Sequence, residues 1–216
     1  MTIIISIDGN IGIGKTTIIN NLKKKFINNK NIIFLEEPVN EWIKITDGDK
    51  NIIEKFYEDP NKYAFAFQML ALISRFKIIN DTIQQNQYSI IITERSLYTD
   101  KYIFAKMLYE SSNINTIEYQ IYNKWFDEYI DKLPIHKFIY LYAMPHTCNE
   151  RIKLRARDGE NNIDINYINN CNKYHEEMFT IIYSELKINL NNCNINTSEY
   201  NESLYKISSY ILSHII

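Results

Sequence analysis

The sequence predicts a doubly wound α/β domain, a parallel sheet with helices on both faces and its ligands at the carboxyl ends of the strands. Three observations predict it. Short runs rich in β-branched and aromatic residues, at 3–7, 32–35, 88–93 and 137–142, alternate with longer stretches of helical periodicity. The first run feeds straight into a glycine-rich turn, Gly9-Asn10-Ile11-Gly12-Ile13-Gly14-Lys15-Thr16-Thr17, which opens a helix. The middle of the third run, Ile90-Ile91-Ile92, is apolar throughout, as a strand covered on both faces must be.

The glycine turn carries the pattern G-x-x-x-x-G-K-[ST] in its strand-turn-helix setting. Gly9 and Gly14 let the backbone turn with no Cβ in the way, so that successive N–H groups and the helix N-terminus face an anion. Lys15 would reach the β- and γ-phosphates of a nucleoside triphosphate, and Thr16 would place a hydroxyl on Mg²⁺. Gly9, Gly12 and Gly14 are three of only five glycines in the chain, so the clustering answers a local demand. An ordinary turn is the plain alternative, but the full pattern arises by chance in roughly one chain of this size in a hundred. A phosphate cradle says what binds, not what is done with it.

With 216 residues, 45% of them hydrophobic, the chain suits one domain over residues 1–216 with a full core. A formal net charge of −2 argues against a general nucleic-acid coat protein. The three cysteines, Cys148, Cys171 and Cys193, are odd in number and lack metal-ligand spacing, which reads as reduced thiols in a cytoplasmic setting. The start has no basic segment of a signal peptide, and no uncharged apolar run is long enough to span a membrane. None of the four histidines, at 136, 146, 175 and 214, has a ligand-like spacing or a nucleophile beside it.

Taken in order, Ile18, Ile19, Leu22 and Phe26 recur at helical spacing after the turn, and residues 28–31 close that helix. The second strand, 32–35, ends at Glu36-Glu37-Pro38, where proline cannot continue the ladder. Glu37 therefore stands where an open parallel sheet binds ligands, although on position alone a solvated turn acid is the slightly favoured reading. A loop around 46–49 and a short helix with Phe56 and Tyr57 lead to a long helical segment over 61–87, in which Gln68 and Arg75 lie two turns apart on one side, a pair that by itself reads more readily as a solvent face than as a pocket wall. The third strand ends in Glu94-Arg95-Ser96: an acid there suits the Mg²⁺ side of a phosphate loop, and Arg95 could hold phosphoryl oxygens, with a structural ion pair as the alternative. A helix over 102–109 bears Phe104, just after Asp100, and another spans about 116–131. After the fourth strand comes the basic cluster Arg151, Lys153, Arg155 and Arg157, followed by Asp158-Gly159-Glu160, with the look of a lid over about 151–163 that brings cations to a triphosphate. A helix over 164–186, a weak strand near 192–196 and a last helix from about 203 complete the chain.

Several of these pieces, in order and spacing, resemble one family. GNIGIGKTT from Gly9, EPV-x-x-W from Glu37 to Trp42, FQ-x(6)-R from Phe67 to Arg75, ERS from Glu94, and R-x(3)-R-x-R-x-x-E from Arg151 to Glu160 resemble the deoxynucleoside kinases of the deoxycytidine, deoxyguanosine and deoxyadenosine type. The resemblance spans nearly the whole chain. It implies the P-loop kinase fold, a five-stranded parallel sheet flanked by helices with a short arginine-rich lid, and transfer of the γ-phosphoryl of ATP or another triphosphate to the 5′-hydroxyl of a deoxyribonucleoside. By that resemblance Glu37 would be the general base, Arg95 would bridge the hydroxyl and the moving phosphoryl, and Lys15, Arg155 and Arg157 would steady its charge. The triphosphate would be held by Gly9, Asn10, Ile11, Gly12, Ile13, Gly14, Lys15, Thr16 and Thr17, with Arg151 and Arg155 beside it, and Mg²⁺ by Thr16 and Glu94. Tyr57 and Glu160 match the pair that binds the sugar 3′-hydroxyl, with Tyr57 crowding the 2′ position. Gln68 matches the residue on the base edge, Phe104 would stack on the base, and Trp42 and Phe67 would wall it. Arg75 and Asp100 match a charged pair of the cytidine and purine enzymes, and exposed arginine donors there would favour an amino or carbonyl edge over a methyl group. The family implies a homodimer through long helices.

Two rival readings remain at this stage. A thymidylate-kinase-like nucleoside monophosphate kinase would need cations for an acceptor phosphate, which Glu37 would repel. A nucleotide-binding regulatory protein without turnover is the other; the base-reading N-K-x-D of small GTPases is not met by Asn123-Lys124-Trp125-Phe126.

Overall fold

A computed structural model describes residues 2–85, 87–156, 163–191, 193 and 197–215. From the amino end, β1 (Ile3–Gly9) runs into α1 (Lys15–Lys25), and β2 (Ile32–Leu35) into the short α2 (Val39–Trp42). Next come β3 (Thr46–Asp47), β4 (Lys50–Asn51), α3 (Ile52–Glu58) and the 25-residue α4 (Pro60–Gln84). β5 (Ile90–Glu94) is followed by α5 (Leu97–Thr99), a π-helical stretch over Asp100–Ala105, α6 (Lys106–Glu110) and α7 (Thr116–Ile130). β6 (His136–Tyr142), α8 (Pro145–Arg155), α9 (Ile165–Ile181), β7 (Leu186–Asn189) and α10 (Ser198–Leu212) complete the described elements.

Five strands form one parallel sheet in the order β2-β5-β1-β6-β7, the expected architecture. β1 lies at its centre because both its faces are covered: Ile4, Ile5 and Ile7 are wholly buried, as are Ile90, Ile91 and Ile92 beside them. Local chemistry starts the helices. Asn51 accepts from the N–H groups of Ile53 and Glu54 while Glu54 returns to the Asn51 N–H, a capping box that Asn115 and Glu118 repeat for α7. Asp59 caps α4 with Pro60 at its first position, where the missing N–H costs nothing.

Several expected boundaries move. The loop expected at 46–49 is a hairpin, β3 paired antiparallel with β4, with Gly48 at φ +67° in its turn. The helix expected to reach residue 186 ends at Ile181, and the last sheet strand is Leu186–Asn189 rather than 192–196, of which only residue 193 is described. Register decides it, since Leu186 lies opposite Ile139 and Ile188 opposite Leu141, which places Ile188 in the core. α10 begins at Ser198, not near 203, because the Thr197 side chain accepts from the Tyr200 N–H. Among the described residues no helix is long and apolar enough to cross a membrane.

Candidate active site

Three neighbouring strands, β2, β5 and β1, end side by side: Leu35 lies opposite Thr93, and Ile7 opposite Glu94. Parallel order thus brings Glu37, the Glu94-Arg95 turn and the glycine turn to one edge of the sheet although they are 20 to 86 residues apart in sequence. A buried acid fixes this edge. Asp8 Oδ1 accepts from the Ser96 N–H at 2.9 Å and from Ser96 Oγ at 3.0 Å, and Thr99 Oγ1 also donates to it. Arg95 itself is held at φ +66°, a left-handed conformation that non-glycine residues adopt only under constraint.

In the glycine turn, Gly12 has φ +76° and Gly14 +106°. A Cβ on Gly12 would stand 2.4 Å from the Cys148 carbonyl oxygen, so α8 packs against bare backbone there. Lys15 Nζ donates to Gly9 O at 3.0 Å and Asn10 O at 2.9 Å. Burial, with Arg95 adding to it, lowers the Lys15 ammonium to about 7 against the pull of Glu94 and Glu37. Thr16 Oγ1 donates to Glu94 Oε1 at 2.7 Å, so hydroxyl and carboxylate meet at the mouth of the turn. Arg151 on α8 donates to Ile13 O at 3.1 Å, to Leu190 O at 2.8 Å and to Cys193 O at 2.9 Å, clasping the glycine turn to the segment after β7.

Glu37 is drawn into the cleft, not left as a solvated turn acid. Its Oε1 lies 3.0 Å from Arg75 NH2 and 3.4 Å from Arg95 Nε. Burial pushes its carboxyl up, but Arg75, Arg95 and Lys15 outweigh that and hold it at about 2. Arg75 also donates through Nε to Asp100 Oδ2 at 2.9 Å, through NH2 to Asp100 Oδ1 at 3.4 Å and through NH1 to the Glu94 carbonyl at 2.9 Å. The carboxylates of Asp100 and Glu37 keep it charged against the cost of burial. Arg75 thus makes four contacts within the protein from a group with five N–H bonds, which leaves one N–H for a base. The π-helical stretch begins at Asp100 and carries Phe104, whose ring lies 5.0 Å from the Arg95 guanidinium carbon. No periodicity in the sequence marks it, because a single wide turn leaves the surrounding helical pattern intact.

A cavity of about 500 Å³ opens onto these groups, lined by Lys15, Glu37, Arg95, Gln68, Tyr57 and Trp42 among others. Gln68 is 3% exposed, and among the described residues its amide has no hydrogen-bond partner. Trp42 donates to Ser74 Oγ at 2.8 Å and meets Phe67 edge-on at 5.4 Å, while Phe67 packs on Phe56 at 5.0 Å. A second cavity, also of about 500 Å³, lies over residues 12–18 and reaches Arg151, Leu190 and Tyr200. The two share Gly12, Lys15, Thr16, Glu94 and Arg155, and only the first is lined by Glu37.

A family model described as deoxynucleoside kinase matches residues 5–211. The chain belongs to the deoxynucleoside kinase family. These enzymes are phosphotransferases. Over 195 residues the chain is 32% identical to the mitochondrial deoxyguanosine kinase of Xenopus laevis, covering 82% of this chain and 72% of the relative. It is 39% identical over 176 residues to a Fowlpox virus protein described as a "probable deoxycytidine kinase", covering 80% and 70%. It is 34% identical over 206 residues to the deoxycytidine kinase of Homo sapiens, covering 86% and 77%.

In this deoxynucleoside kinase, Lys15, Thr16, Glu37, Trp42, Tyr57, Phe67, Gln68, Arg75, Glu94, Arg95, Asp100, Phe104 and Arg155 come together around the two cavities. Arg151 reaches the second cavity, with its guanidinium on backbone carbonyls. Arg157 and Glu160, and with them the tip of the expected lid, lie outside the described residues. Sequence reasoning missed Asp8 and Tyr167, and for Asn10 it missed the contact with α9. Asp8 had one signal, an acid directly before the first glycine of the turn. Asn10 donates to Ile168 O at 3.0 Å, fastening the glycine turn to α9, and Tyr167 lines the first cavity; neither α9 contact has a local signature.

Proposed function

We propose that this family member transfers the γ-phosphoryl of ATP, or of another nucleoside triphosphate, to the 5′-hydroxyl of a deoxyribonucleoside. The observation that carries the reading is the meeting of two cavities at Lys15, Thr16, Glu94 and Arg155, with the Glu37 carboxylate lining only the first, away from the phosphate cradle. A triphosphate over residues 12–17 would present its γ-phosphoryl at that junction, and a nucleoside in the first cavity would present its hydroxyl to Glu37. Arg75 and Arg95 both engage Oε1 of Glu37, which leaves Oε2 for the hydroxyl. So strong an acid is a weak base. It suits a loose transition state in which the acceptor loses its proton late, and the site works chiefly by positioning and charge. Arg95 would follow the phosphoryl as it moves, with Lys15 and Arg155 on its oxygens. The pairing of Arg75 and Arg95 with Glu37 favours a neutral alcohol over a monophosphate as acceptor.

Thr16 and Glu94 supply the hard oxygen donors that suit Mg²⁺, 2.7 Å apart beside the cradle. Among the described residues no group of three or more His, Cys, Asp or Glu side chains could hold an ion, so the phosphates would complete its shell. When bound, the ion would neutralise charge on the transferring phosphates.

Gln68, a buried amide without a partner among the described residues, lines the first cavity and offers a donor and an acceptor edge to the base, with Phe104, Trp42 and Phe67 around it. With the Arg75–Asp100 pair behind it, and with relatives named for deoxycytidine and deoxyguanosine, deoxycytidine or a purine deoxynucleoside is the preferred substrate over thymidine. A homodimer through the long helices is part of the proposal, supported by Ile73 of α4 and Ile117, Ile121 and Trp125 of α7, all exposed. The test is ADP formation with each of the four deoxynucleosides, and with dCMP, in the presence of ATP and Mg²⁺. Turnover of deoxycytidine or a purine deoxynucleoside above thymidine is expected; turnover of dCMP alone would overturn the reading.

A further inference from the structure

Tyr57 does not stand alone at the sugar end of the first cavity. Tyr167, from the first turn of α9, lines the same cavity and meets the Tyr57 ring edge-on, centroids 6.2 Å apart and planes at 82°. Tyr57 also packs on Phe56 of its own helix, 5.0 Å away and 2% exposed. Tyr57 thus meets rings from its own helix and from α9. The two rings differ in what holds them. α3, which carries Tyr57, packs on α4 and the β3–β4 hairpin. Tyr167 belongs to the phosphate side of the molecule: Asp164 caps its helix, and the carbonyl of the next residue, Ile168, accepts from Asn10 of the glycine turn. The tyrosine pair therefore references the position of Tyr57 to the phosphate cradle.

We propose that Tyr167 is a positioning residue that keeps Tyr57 from retreating from the sugar, and so sets how strongly deoxyribonucleosides are preferred over ribonucleosides. This rests on the kinase reading and on Tyr57 crowding the 2′ position. An apolar wall rejects an added hydroxyl only weakly, by about 10² at most, because it can give way. A second ring braced against it from a rigid element limits how far it gives.

The measurement is the ratio of kcat/KM for deoxycytidine to that for cytidine, or for the matching purine pair if that is the better substrate. Tyr167→Leu is expected to lower the ratio about three- to tenfold, mainly by improving KM for the ribonucleoside, the range an edge-to-face aromatic pair is worth. Tyr167→Phe, which keeps the ring, should restore the wild-type ratio, and Tyr57→Leu combined with Tyr167→Leu should fall no lower than Tyr57→Leu alone. If Tyr167→Leu does not fold, Tyr167→Met, unbranched and of similar length, takes its place with the same expected drop. An unchanged ratio in the leucine or methionine variant, a phenylalanine variant as impaired as the leucine one, or independent multiplying effects of Tyr57→Leu and Tyr167→Leu would each overturn the proposal. Those results leave wild-type deoxynucleoside turnover intact, whereas wild type that turns over no deoxynucleoside overturns the kinase reading and this inference together.

Discussion

Arg75 NH2 stands 3.0 Å from Glu37 Oε1, so an arginine in the middle of a long helix holds the carboxylate that ends the second strand. The same guanidinium reaches Asp100 and the carbonyl of Glu94, tying α4, β2, β5 and the π-helical stretch into one polar cluster under the first cavity.

Glu37→Gln should keep the shape of this cluster and remove the base. Nucleoside binding is expected to stay within a few fold of wild type while kcat falls at least about 10²-fold, a typical loss for a general base. Calorimetric binding beside steady-state turnover checks it, and a variant that keeps its kcat removes Glu37 from the chemistry.

Arg75→Met leaves Asp100, 1% exposed, without its partner, and should destabilise the protein by about 3–5 kcal/mol in urea denaturation. Adding Asp100→Leu should recover much of that loss, because the cost lies in the uncompensated carboxylate more than in the missing bond. A double variant no more stable than the single one would show that the pair contributes through its hydrogen bonds to Glu37 and Glu94 instead.

Lys15, lowered to about 7 from 10.5, is partly neutral in the ligand-free protein at neutral pH. A bound triphosphate favours its charged form, so ATP binding should take up close to one proton near pH 8.5, and affinity should weaken as pH rises from 7 to 9. Titration calorimetry in two buffers of different ionisation enthalpy reads the proton count directly. The stability of the ligand-free protein runs the other way: between pH 7 and 10.5 the unfolded chain binds more protons at this residue, so Lys15 contributes stability that grows with pH. Glu37, lowered from 4.5 to about 2, contributes stability that is present above pH 4.5 and lost as pH falls through 2.

Gly12→Ala puts a methyl group 2.4 Å from the Cys148 carbonyl oxygen at φ +76°. It should cost at least about 2 kcal/mol of stability and abolish ATP binding, since neither backbone can yield without moving α8 or the glycine turn. A soluble variant that binds ATP with wild-type affinity would contradict the packing described.

Gln68→Leu should raise KM for the nucleoside about tenfold or more with a smaller effect on kcat, because the amide lines the cavity with no partner among the described residues. Equal losses in kcat and kcat/KM would place Gln68 in transition-state binding instead.

The sequence by itself determined what depends on short-range chemistry. The strand-turn-helix with its glycines, the apolar β strands, the proline and acids that stop them, and the spacing of Gln68 and Arg75 on one helix are all set by neighbours a few residues apart. A parallel sheet then carries the stop signals to one edge, which is why Glu37, Glu94 and Arg95 could be placed together from the sequence, although position alone did not give Glu37 a role. Tertiary structure alone decided which charges spend themselves on one another. Arg75 divides its donors among Glu37, Asp100 and a carbonyl; Gln68 is left to face the cavity; Asp8, Asn10 and Tyr167 act across 88, 158 and 110 residues of chain. Such contacts follow from sheet order and from helices docking on it, and burial makes them count, because only where water is excluded does the choice of partner fix both the charge and the place of a side chain.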